Sequence, residues 1–125
     1  MTRITKQLLA LFYAMAVLAQ VFVITKVIPI AWVNGGRSES FSEQAGLSVA
    51  SIFLIALIGL LTWYLIAQKN RKFGMAGLVI ITIWWLGSLP LQLLGTSFEK
   101  LVLAPLHAFG IFAYARAILT VKALK

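Results

Sequence analysis

Four runs of this chain, 8–28, 43–67, 74–94 and 101–121, are so nearly free of charge that only Lys26, Glu43 and Arg116 interrupt them. Each is about as long as an α-helix must be to cross a hydrocarbon core of roughly 30 Å. Such runs leave few choices, because in lipid only a helix or a closed barrel satisfies its own backbone. Of 125 residues, 62% are hydrophobic and 11% charged, where a soluble domain carries about 25% charged residues. That polar surface is too small to face water all round. The expectation is an all-α integral membrane protein, a single four-span domain over 1–125, with the lipid bilayer as its first partner.

A secretory signal is the competing reading of the first run. It would have a shorter apolar core, about 7–15 residues, followed by small residues at a cleavage site. Here the uncharged stretch 8–25 is longer, and Lys26, Val27, Ile28 and Pro29 follow it. An uncleaved first span is expected, with Lys26 snorkelling outward and Pro29 ending or kinking the helix.

Three connections remain: an outer loop 29–42, a turn 68–73 and an outer turn 95–100. Arg3, Lys6, Lys69, Arg71, Lys72, Lys122 and Lys125 fall on one side, and Lys26, Arg37 and Lys100 on the other. The positive-inside rule then makes 68–73 cytoplasmic and puts both termini in the cytoplasm of a plasma (inner) membrane. Short connections imply antiparallel neighbours, hence an up-down-up-down bundle of four transmembrane helices. The net charge of +8 does not point to nucleic acid, since the basic residues flank the spans rather than line one face.

The segment 26–44 is the one sizeable polar break. Trp32 reads as an interfacial anchor, and Asn34, Gly35 and Gly36 as a turn needing positive φ. Ser40 and Glu43 have the spacing of a capping box, which starts the second helix in water near Phe41. At 1.5 Å per residue that helix runs roughly 40 Å, longer than the hydrocarbon core. Arg37, with Glu39, Glu43 and Glu99 in reach, is expected to pin this loop over a mouth formed by Gln92 and His107.

The outer half also gathers the candidate pocket residues Gln20, Ser48, Ser51, Gln92 and His107, beside helix-breaking Pro90 and Pro105. An ionisable residue at membrane depth is a functional candidate with a partner to be named. For His107 that partner is Gln92 or Gln20. The plainer reading is that these groups hydrogen-bond neighbouring helices and do nothing else. Arg116, nearer the other end, snorkels to the headgroups or meets Tyr13 or Tyr64.

Catalytic chemistry is scarce. The chain has no Cys and no Asp, which removes thiolate nucleophiles and the usual Ser-His-Asp arrangement. One His and three Glu near the outer surface are a poor stock of metal ligands, and no glycine loop fits a phosphate. No cofactor is expected, and an enzyme is not. The small multidrug-resistance transporters are similar in size and span count, but they need a glutamate where 14–18 reads AMAVL. The small fluoride channels share the span count, but not the polar and aromatic track. The expected role is a non-enzymatic membrane protein that binds a lipid-like or small ligand, or a membrane-protein partner, through an outward-facing polar mouth. The alternative is a protomer of a homo-oligomeric channel or transporter.

Overall fold

The computed structural model describes residues 3–123; Lys125, counted above among the cytoplasmic flanks, lies outside them. Among the described residues the chain is all-helical, with four helices long and apolar enough to cross a membrane. They are α1 (Arg3–Ile24), α2 (Phe41–Ile66), α3 (Arg71–Leu93) and α4 (Ala104–Ala123), the last preceded by a π-helical turn, Glu99–Leu103. The chain is thus a candidate multi-pass membrane protein.

α1 stops short of Pro29, where the sequence places the break. Lys26 adopts a φ of 67°, the left-handed conformation that ends many helices. Its N–H donates to the Val23 carbonyl at 3.1 Å, and the Val27 N–H to the Phe22 carbonyl at 2.9 Å, which together make a Schellman stop. Left-handed geometry costs a non-glycine residue about 1–2 kcal/mol. The Lys26 ammonium lies 4.7 Å from the Phe41 ring centroid, and a cation–π contact of this kind returns about 0.5–1 kcal/mol. The exposed side chain thus reaches the first residue of α2. Beyond the stop, Ile28 turns inward against Val23, Val33 and Leu103.

Two short 3-10 turns, Ile30–Trp32 and Asn34–Gly36, build the loop. Asn34, Gly35 and Gly36 have φ of 53°, 62° and 72°, as their turn chemistry predicts. Gly36 is needed for space as well, because a Cβ there would stand 3.2 Å from the Ala31 carbonyl oxygen. The Ser40 side chain caps α2 by accepting from the Glu43 N–H at 3.1 Å. The return bond differs from the expected box: Glu43 accepts from the Glu39 N–H at 3.0 Å, one residue before the cap.

Asn70 caps α3 by accepting from the Phe73 N–H at 3.2 Å. Arg71 and Lys72 consequently belong to the first turn of α3 rather than to the connection. Pro90 is carried inside α3, and Pro105 is reached through the π-helical turn. A proline ring strikes the carbonyl four residues back in a regular helix. The wider coil, closed by the Ala104 N–H on the Glu99 carbonyl, relieves that clash and lets α4 continue.

α1 packs on α2 and α4, and α3 packs on α4 and α2, around a core led by Leu9, Phe12, Leu78, Trp85 and Tyr114. Lipid offers no reward for removing apolar surface from water, so close fit decides such contacts. Gly110 supplies one: a Cβ there would fall 2.4 Å from the Phe12 ring, which lies directly on α4. The outer surface is greasy, with only 11% of the most apolar window of α2 buried inside the protein. Leu57, Leu60, Ile80 and Leu119 all point outward.

Candidate functional site

Four of the five candidate pocket residues meet. Gln20 from α1, Ser51 from α2, Gln92 from α3 and His107 from α4 line one chamber of about 210 Å³. Its remaining wall is largely apolar and aromatic, including Phe12, Trp84 and Trp85. A second, larger cavity of about 520 Å³ is lined by Asn34, Gly35, Arg37, Gln44 and Glu99. Gln20, Ser51, Gln92 and Leu103 line both, so the two cavities, an inner chamber and a vestibule on the loop side, adjoin at these residues.

His107 does not use its expected partners. Its Nδ1 is 2.8 Å from the Leu103 carbonyl, one turn back in its own helix. A carbonyl only accepts, so Nδ1 carries the proton. Among the described residues no carboxylate lines the chamber, and an imidazolium there would be a half-buried charge without a counter-ion, which is costly. The neutral ring leaves Nε2 as an acceptor. The ring itself is held edge-on against Trp85, with centroids 5.4 Å apart. The buried Oε1 of Gln92 has no hydrogen-bond partner among the described residues. Leaving such an acceptor unmatched costs about 1–3 kcal/mol.

Ser48 is not in the chamber. It is fully buried and accepts from Gln44 Nε2 at 3.1 Å. Gln44 Oε1 in turn accepts from the Ser38 hydroxyl at 2.6 Å, and Ser38 Oγ accepts from Asn34 Nδ2 at 3.3 Å. This series ties the glycine turn to α2. The loop is pinned, but not by the expected ion pairs. Arg37 donates from Nε to the Asn34 carbonyl at 3.2 Å, and Glu43 is engaged as a cap. Glu39 is exposed. The pin is Glu99, only 5% exposed, whose Oε1 accepts from the Gly35 N–H at 2.8 Å and the Thr96 N–H at 3.2 Å. Thr96 also donates through its hydroxyl to the Trp32 carbonyl, and Trp32 stacks on Phe98 at 5.5 Å.

On the side of the chamber away from the loops the interior is filled. Phe12 and Trp85 meet edge to face at 5.1 Å, and a chain of hydroxyls follows. Thr62 donates to the Ile58 carbonyl at 2.8 Å, so at 2.6 Å it must accept from Tyr114. Tyr114, its proton committed, accepts from the Tyr13 hydroxyl. Each group is satisfied, and the chain links α1, α4 and α2. Arg116 turns elsewhere, its Nε donating to Thr5 Oγ1 at 3.2 Å.

Gln44, Trp84, Trp85 and Ser88 escaped the sequence-based candidates. A signal existed: Gln44, Ser48 and Ser51 share one face of α2 at helical spacing, and Trp84, Ser88 and Gln92 share one of α3. Glu99 was expected in the loop cluster as a partner of Arg37, and its partners are instead the Gly35 and Thr96 N–H groups. Comparison of the chain with protein-family models, curated proteins and solved structures gives no match.

Proposed function

We propose that this protein binds a small or lipid-like ligand in the inner chamber, entered through the vestibule beneath the 29–42 loop. One observation carries the reading: Gln20, Ser51, Gln92 and His107, one from each helix, surround the same chamber. Two of them bring polar atoms that the protein does not use internally, Gln92 Oε1 and His107 Nε2. Ligand sites are typically apolar cavities with a few such convergent groups. The proposed setting is a plasma (inner) membrane, with an antiparallel up-down-up-down bundle, both termini cytoplasmic and the vestibule outside. The Lys and Arg flanks support that orientation.

The test is ligand capture. Protein purified in gentle detergent should carry a copurifying lipid or small molecule by native mass spectrometry, and Ser51→Trp, which fills the chamber, should lose it. Wild-type and Ser51→Trp protein carrying the same load would contradict the reading. Orientation is checked by labelling single cysteines in cells: Ser38→Cys should react with an impermeant reagent from outside, and Asn70→Cys should not. The alternative, a homo-oligomeric channel or transporter, needs a path between copies, since Phe12, Trp85 and the hydroxyl chain fill the bundle beyond the chamber.

A further inference from the structure

The chamber's chemistry narrows its occupant. Of its polar atoms without a partner among the described residues, His107 Nε2 and Gln92 Oε1 are acceptors and Trp85 Nε1 is a donor. A hydroxyl, which donates one hydrogen bond and accepts others, matches both kinds. Among the described residues no Asp, Glu, Lys or Arg lines the chamber, so nothing there would neutralise an ammonium or a carboxylate, and the hydroxyl belongs on a neutral molecule. Phe12, Trp84 and Trp85 present flat aromatic surfaces, against which a ring packs edge-on or offset. The volume of about 210 Å³ exceeds the roughly 150 Å³ that suffices for benzene in an engineered cavity.

We infer that the inner chamber receives a ring-bound hydroxyl, the headgroup of a phenol- or hydroquinone-type molecule, donating to His107 Nε2. This rests on the ligand-binding reading above and specifies its ligand. Two other cavities border the chamber. The vestibule adjoins it on the loop side at Gln20, Ser51, Gln92 and Leu103. An apolar groove of about 600 Å³ between α1 and α4 shares Ala19, Leu103 and Leu106 with it, and would hold an alkyl tail. A tailed phenol from the bilayer and a tail-less phenol from water have the same headgroup chemistry.

The discriminating probes are 4-hexylphenol and its methyl ether, 4-hexylanisole, which keeps ring and tail but cannot donate. Equilibrium binding is measured on protein in nanodiscs, with empty nanodiscs subtracted. The phenol should bind at least about tenfold tighter than the ether, equivalent to about 1.4 kcal/mol. His107→Phe keeps a ring against Trp85 but removes the acceptor, and should bring that ratio close to one. Ser51→Trp should abolish binding of both probes. Equal binding of phenol and ether by the wild type, both lost in Ser51→Trp, would overturn the hydroxyl assignment and leave the ligand-binding reading intact. Binding indifferent to Ser51→Trp, or absent for both probes, would overturn the phenol-type headgroup and leave the ligand-binding reading to the copurification test above. A tail-less phenol bound about tenfold more weakly supports entry from the bilayer. One bound as tightly, and still dependent on His107, supports the same headgroup arriving from water.

Discussion

Two sets of polar side chains lie inside this apolar protein, and they are treated oppositely. Tyr13, Tyr114 and Thr62 pass hydrogen bonds in one direction until the chain ends on the Ile58 carbonyl. Gln20, Ser51, Gln92 and His107 surround a chamber, and Gln92 Oε1 and His107 Nε2 have no partner among the described residues. In lipid an unmatched polar group is costly, and a closed network is the ordinary solution. The first set adopts it and serves as a clasp between helices. The second forgoes it, and stability given up at a cavity is the usual mark of a binding site. Polarity in a span says little until its hydrogen bonds have been followed to their ends.

That contrast can be broken at several points. The largest effect is expected where the closed set is held by packing. Gly110→Ala drives a methyl group into the Phe12 ring and should cost about 1–3 kcal/mol in detergent unfolding. Glu99→Leu strands the Gly35 and Thr96 N–H groups, and should cost about 1–2 kcal/mol and speed proteolysis within 29–42. Arg37→Ala, by contrast, should change stability by under about 0.5 kcal/mol and leave that cleavage rate alone. Equal sensitivity at both positions would return the pin to Arg37. Tyr114→Phe removes the middle of the hydroxyl chain, and membrane hydrogen bonds of this kind are worth about 0.6–1.7 kcal/mol. An unchanged unfolding midpoint for Tyr114→Phe would mean that the clasp does not clasp.

The helices were legible because charge is confined almost entirely to their flanks, and the loop because Asn34-Gly35-Gly36 and Ser40 state their own backbone geometry. The end of α1 was not legible: Lys26 is a poor left-handed residue by itself, and Phe41, fifteen positions later, helps to hold it. The π-helical turn was hidden for a similar reason, since Pro105 warns of a break without saying how the chain absorbs it. Gln20, Ser51, Gln92 and His107 could be nominated because they are polar residues at similar depth. Ser48, nominated on the same grounds, turned inward to Gln44. Nothing in the sequence marks out Tyr114 within its apolar span, yet it is the hub of the closed set. Sequence gives depth along a helix well, but which face meets which neighbour depends on how all four pack.

The most direct measurement sets the two polar groups side by side: unfolding midpoints of Gln92→Leu and Tyr114→Phe against the wild type in one detergent. Gln92→Leu removes an acceptor that has no protein partner and should leave the midpoint unchanged or raise it. Tyr114→Phe should lower it. A loss of stability in Gln92→Leu as large as that in Tyr114→Phe would show that Gln92 is structural glue, and would contradict the assignment of the chamber as a site kept open for a ligand.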